Sequence, residues 1–318
     1  MFAGEYGSTE GSTTTSIFLL IPVTSTNASE RIGSLSERIN ESLAPALTIP
    51  TVICFSSTER IWALAESSDE KKQACANPDM QARVIGNKFC FAIRAYGTRT
   101  AGPSPTLVVV LHGDGSGGGR PEYHDAIAES LATDGVIAIG MIRPGFTGKD
   151  DRTSDGAVLR EDFYTAENID AVADAISRLK VHYRARQTVM IGHSGGAAMT
   201  GVVIGRHAGL IDRALLISCP CDVSRWRNIR RRGAWGNSLS PSDHSSKVPA
   251  TTKVIAITGE LDDNTDQMLA RDYVVALTAR AVTAKFAVIP GAGHNVTRIM
   301  RESDVYRQAM ENIVTGNF

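Results

Sequence analysis

The chain has 318 residues, 42% of them hydrophobic and 21% charged, with a formal net charge of -1. That length suits one large α/β domain with appendages or two modest domains, with a core that needs no metal or disulfide staple. The near-neutral charge supplies no global field for nucleic acid or an anionic membrane, and no apolar run approaches the ~20 residues of a membrane helix.

Residues 1–79 read as an N-terminal extension of unclear fold, rich in Ser and Thr over 1–50. Within it, 17–23 has the length of a signal-peptide core, but Glu5 and Glu10 precede it and no Lys or Arg does, which is wrong for such a peptide. Compartment and oligomeric state are left open. A helix is expected over 29–47, with Ile32, Leu35, Ile39 and Leu43 at helical spacing. Regular patterning starts near residue 80. The runs 80–85 and 88–96 predict a hairpin turning at Gly86-Asn87. Cys75 and Cys90 flank it, a placement compatible with a bridge in an oxidising compartment. The five cysteines are otherwise too few for a disulfide scaffold and lack zinc spacing, and Cys219-Pro220-Cys221 reads as two ordinary thiols at a strand end.

An unbroken apolar run follows at 106–111, as expected of a strand buried on both faces of a parallel sheet. Similar runs lie at 136–142, 188–191, 214–217, 254–258 and 284–289. Helical stretches separate them. In 166–179, for example, Ile169, Val172, Ala173 and Ile176 share one face. The alternation predicts an α/β fold: a mostly parallel central sheet with helices on both faces. The interval after the strand at 214–217 is unlike the rest, holding Trp226, Trp235 and five arginines between 225 and 232. It is expected to form a small cap insertion, 219–250, over the carboxyl ends of the strands.

Chemistry concentrates at strand ends. Gly192-His193-Ser194-Gly195-Gly196 follows a strand and precedes a helix, the setting in which G-x-S-x-G presents a nucleophilic serine on a tight turn. The helix behind it aims amide donors and a positive dipole end at developing negative charge. Serine needs a base. The candidate is His294, on the glycine-rich loop Pro290-Gly291-Ala292-Gly293-His294 after the last strand. The base needs an acid to orient it, and Asp262 in Gly259-Glu260-Leu261-Asp262-Asp263 is the choice, with Asp263 a close rival and Glu260 and Asp266 distant ones. Leu111-His112-Gly113-Asp114-Gly115 follows the first buried strand. An oxyanion hole is expected from the amides of Asp114 (Gly115 the alternative) and Gly195, the residue after the serine.

The motifs HG-x-G, GHSGG, G-x-x-D-D and G-x-G-H, in this order, resemble the α/β-hydrolase fold, in particular its prolyl-oligopeptidase-like and dienelactone-hydrolase-like branches. Arg143-Pro144-Gly145-Phe146 looks like the family's R-P-G-[FY] turn. An HGGG run is missing, which points away from the hormone-sensitive-lipase branch. The resemblance covers 80–318 and says nothing about 1–79. It implies hydrolysis through an acyl-enzyme with no cofactor and no metal, acting on a small-molecule ester or a short peptide-like substrate. A carboxylic-ester hydrolase is the expectation. A peptidase or amidase with the same machinery is the first alternative, disfavoured because 1–79 are too few residues for a propeller. A lyase or acyltransferase on the same fold is the second. The arginines of 225–232 are read as a solvated or salt-bridged helix face rather than an anion clamp.

Overall fold

The computed structural model of the chain describes residues 73–115, 120–157 and 163–318. The expected helix at 29–47, the apolar run at 17–23, Cys54 and the glycine run 116–119 lie outside the described residues.

Eight strands form one sheet: β1 (Arg83–Gly86), β2 (Phe89–Tyr96), β3 (Thr106–Leu111), β4 (Val136–Met141), β5 (Gln187–His193), β6 (Arg213–Ile217), β7 (Lys253–Gly259) and β8 (Thr283–Ile289). Their spatial order is β1-β2-β4-β3-β5-β6-β7-β8. The β1–β2 and β2–β4 pairs are antiparallel and all others parallel. The hairpin turns where expected, with Asn87 in the left-handed region at φ 50°. Each apolar run is a strand, because a strand between two layers of helices buries both its faces. In β3, Leu107, Val109 and Leu111 face one core, while Val108 and Val110 face the other. The run ending in Ile289 differs from the rest. It is the edge strand β8, half exposed along most of its length, since only one neighbour covers it.

The helices are α1 (Tyr123–Leu131), α2 (Ala166–His182), α3 (Gly195–Arg206), α4 (Val223–Ile229), α5 (Pro241–His244), α6 (Gln267–Thr278), α7 (Arg298–Glu302) and α8 (Asp304–Thr315). Residues of α2, α3 and α6 belong to the first core; those of α1, α7 and α8 belong to the second. Their starts are marked by side-chain caps: Thr165 for α2, Asp222 for α4, Asp266 for α6 and Ser303 for α8. Among the described residues, no helix is long and apolar enough to cross a membrane.

One expectation about cysteine is corrected: Cys219 and Cys221, read as ordinary thiols, form a disulfide at the end of β6. Cys75 is bridged to Cys90, the pairing that their placement left open. Sequence spacing alone does not report that the turn after Ile217 folds back with the two Cα atoms 5.1 Å apart.

Between β6 and β7 the chain forms α4, α5 and a 3-10 turn, Ser245–Lys247. Trp226 and Arg227 of α4 are buried, and the Arg227 guanidinium lies 4.4 Å from the Trp235 ring centre. Arg225 pairs with Asp272 at 2.7 Å, and Arg230 donates to the Asp263 carbonyl. These arginines tie the segment to α6, to the acid loop and to itself. Pro241 and His244 of α5 pack against α3 at Gly201 and Gly205.

Candidate active site

Each candidate residue sits where a parallel strand ends, so the sheet gathers segments far apart in sequence at one edge. β5 ends at His193, Ser194 stands alone in a turn with φ 51° and ψ -117°, and α3 begins at Gly195. That backbone is unfavourable for any residue with a Cβ and persists because its surroundings over-determine it. The turn presses α3 against the β3 loop: a Cβ on Gly196 would sit 2.5 Å from the His112 carbonyl oxygen, so only glycine fits. As the first residue of α3, Gly195 contributes an amide without an intrahelical partner.

The structure brings Ser194, His294 and Asp262 into one hydrogen-bonded line. His294 Nε2 lies 3.0 Å from Ser194 Oγ, and His294 Nδ1 lies 3.0 Å from both carboxylate oxygens of Asp262. A carboxylate accepts only, so Nδ1 carries the hydrogen and Nε2 is left bare to accept from the serine hydroxyl. The Asp262 side chain is wholly buried, and burial, the largest influence on it, acts to raise its pKa. Hydrogen bonding and charge from His294, with the Thr265 amide and hydroxyl, outweigh that and bring it down to about 2.

Its distant rivals are occupied elsewhere, and Asp263 is exposed. The Asp262 side chain accepts from the amides of Asn264 and Thr265 at 3.0 and 2.8 Å and from the Thr265 hydroxyl at 2.7 Å. Glu260 instead accepts from the Gly291 amide at 2.9 Å, and Asp266 caps α6. Thr265, fully buried and 3.2 Å from His294 Nδ1, is a support that sequence reasoning missed.

Asp114 lies beside Gly195, its carboxylate held by Arg143 Nη1 at 2.6 Å and by the Tyr164 hydroxyl at 2.5 Å. Both partners are buried. His112 anchors the same loop: its Nδ1 donates to the Gly113 carbonyl at 2.7 Å and its Nε2 accepts the Arg143 amide at 2.9 Å. Burial first, then its neighbours His124 and Arg143, push the His112 pKa well down, so the ring is neutral and this assignment of donor and acceptor is the consistent one. Arg143 carried a sequence signal through the R-P-G-F turn. Tyr164 carried none, being one aromatic residue ahead of a helix cap. The same edge carries an aromatic cluster, with Phe146–Phe163 and Tyr164–Trp235 ring centres 5.0 and 5.4 Å apart.

A model of the prolyl oligopeptidase family matches residues 159–314. None of the curated proteins matches the sequence. Among solved structures, the esterase Est1E from Butyrivibrio proteoclasticus, with ferulic acid bound, superposes with a TM-score of 0.56 at 15% identity, covering 73% of this chain and 98% of that one. An esterase from Pyrococcus furiosus gives 0.53 at 14%, covering 74% and 87%. The acylaminoacyl peptidase of Pyrococcus horikoshii gives 0.53 at 13%, covering 73% of this chain and 39% of that one. At such identities the likeness speaks for the fold, which agrees with the strand order and the helices on both faces. The chain therefore has the α/β-hydrolase fold, and its residues 159–314 are similar to the prolyl oligopeptidase family.

Proposed function

We propose that this protein is a serine hydrolase that cleaves carboxylic esters through an acyl-enzyme on Ser194. The observation that carries the reading is the placement of His294 between Ser194 and Asp262, 3.0 Å from each. His294 takes the serine proton as Oγ attacks the acyl carbon, and the amides of Asp114 and Gly195 receive the oxyanion. His294 then returns the proton to the leaving group, activates the water that releases the acid, and is oriented throughout by Asp262. The substrate is a small-molecule ester, and no cofactor or metal takes part in the chemistry assigned to these residues.

The ester reading draws on the likeness of the fold to that of the two esterases. The family description favours a second reading, a peptidase using the same residues. A panel of p-nitrophenyl esters against peptide anilides separates them. Ester turnover that disappears in Ser194→Ala is the expected result, and faster anilide turnover would replace the ester assignment. The fold domain is proposed to run over 80–318, with 219–250 contributing a substrate wall through Trp226 and Trp235.

A further inference from the structure

Beside the candidate site runs a second hydrogen-bonded line whose members the mechanism above does not use. The Gly113 amide donates to the Tyr123 hydroxyl oxygen at 2.6 Å. That hydroxyl is 2.6 Å from Nδ1 of His193, the residue before the serine, and His193 Nε2 is 2.9 Å from the backbone carbonyl oxygen of His294. The direction of every bond is determined. A carbonyl only accepts, so Nε2 carries a hydrogen. Burial, helped by the nearby His294, brings the His193 pKa down to about 4, so the ring is neutral and Nδ1 is bare. Tyr123 therefore donates to Nδ1 and accepts from Gly113. Burial also raises the tyrosine pKa, keeping its proton in place.

We propose that Tyr123 and His193 are positioning residues that lock the loop after β3, which carries Asp114, to the loop after β8, which carries His294. The inference rests on the reading of Ser194, Asp262 and His294 given above. Its physical content is geometric. The two ends of the line are the backbone next to the proposed oxyanion donor and the backbone of the proposed base, 181 residues apart in sequence and joined by no strand pairing. The hydrogen bond of Ser194 Oγ is with His294 Nε2. The rings themselves are packed, Tyr123 on His193 with centres 5.5 Å apart and His193 on His294 at 5.2 Å. Displacement of a base by about 1 Å is enough to cost ~100-fold in rate, so a brace at the backbone matters even without contact to substrate.

The test exploits the leaving group. A displaced His294 delivers its proton badly, which harms an ester with a poor leaving group more than one whose leaving group departs unaided. In Tyr123→Phe, kcat for ethyl acetate is expected to fall roughly 10- to 100-fold and that for p-nitrophenyl acetate only a few-fold, with KM nearly unchanged for both. His193→Gln, which keeps an N–H donor for the His294 carbonyl, is expected to fall between Tyr123→Phe and wild type. It gives the reading if the phenylalanine variant does not fold. Tyr183→Phe, whose hydroxyl bonds the distant Met80 carbonyl, serves as the unaffected control. Equal losses on both esters, matched by fewer sites titrated by a fluorophosphonate, would mean a merely structural role and overturn the proposal, as would unchanged rates. Esterase activity that survives Ser194→Ala would instead sink the site assignment, a result distinct from either.

Discussion

Arg143 and Asp114 form an ion pair at 2.6 Å in which the guanidinium is wholly buried and the carboxylate only partly exposed. Gly195 fits against this pair because it has no side chain: a Cβ there would overlap the Asp114 carboxylate and lie 2.7 Å from Arg143 Nη1. Gly195→Ala is therefore expected to displace both proposed oxyanion donors and to lower kcat ~100- to 1000-fold. Steady-state kinetics on a p-nitrophenyl ester would check it, and a loss below fivefold would contradict it. Asp114→Ala leaves a buried cation without its counter-charge and is expected to cost about 3–5 kcal/mol in urea unfolding.

Strain at the serine has its own signature. Ser194 holds φ 51° and ψ -117°, a region that glycine enters at little cost and any Cβ-bearing residue resists. Ser194→Gly is expected to be more stable than Ser194→Ala by roughly 1 kcal/mol, although glycine usually loses to alanine through the entropy of the unfolded chain. Thermal melts of the two inactive variants, side by side, decide it. The reverse order would mean that the turn is relaxed.

Three histidines, His112, His124 and His193, are buried and held neutral, chiefly by burial, with His124 brought down to about 3 and His193 to about 4. The unfolded chain takes up protons near the ordinary value of ~6.5. Stability contributed by these groups is thus fully present above that pH and is lost as pH falls toward their folded values, each by up to ~1.4 kcal/mol per unit. Urea unfolding is expected to show a loss of about 3–4 kcal/mol between pH 6 and 5. Among the described residues, neither ring nitrogen of His124 has a hydrogen-bond partner, and Asp125 Oδ1 at 3.7 Å is too far to supply one. His124→Leu should accordingly fold at least as well at pH 5 and flatten the slope by about a third. Asp262 acts in a lower window: its depressed pKa stabilises above about 3.8, and that contribution disappears as pH falls through about 2.

Two disulfides leave Cys54 as the remaining cysteine of five. Thiol titration of the denatured, unreduced protein is expected to find no more than one free group, and five after reduction. Two or more before reduction would remove one of the bridges. The Cys75–Cys90 bridge spans 15 residues, and its loss in Cys75→Ser is expected to cost about 3 kcal/mol.

Much of this protein is local information. Unbroken apolar runs name the buried strands because a strand covered on both faces has no polar side, and glycine-flanked Ser194 stands out because the tight turn at its strand end excludes larger neighbours. The His294 loop is marked by Gly291, whose φ of 66° favours glycine. Which acid serves His294 was less legible, since Asp262 and Asp263 are adjacent and chemically equal. The turn made by Asn264 and Thr265 orients the first of them. Four other features are pairings across long stretches of chain or reversals of its direction: the Arg143–Asp114–Tyr164 cluster, the Tyr123–His193 brace, the edge position of β8 and the Cys219–Cys221 bridge. Residue order and spacing carry the identity of the reacting groups. Only the parallel packing of the strands, which brings loops over 180 residues apart to one edge of the sheet, decides what holds those groups in place.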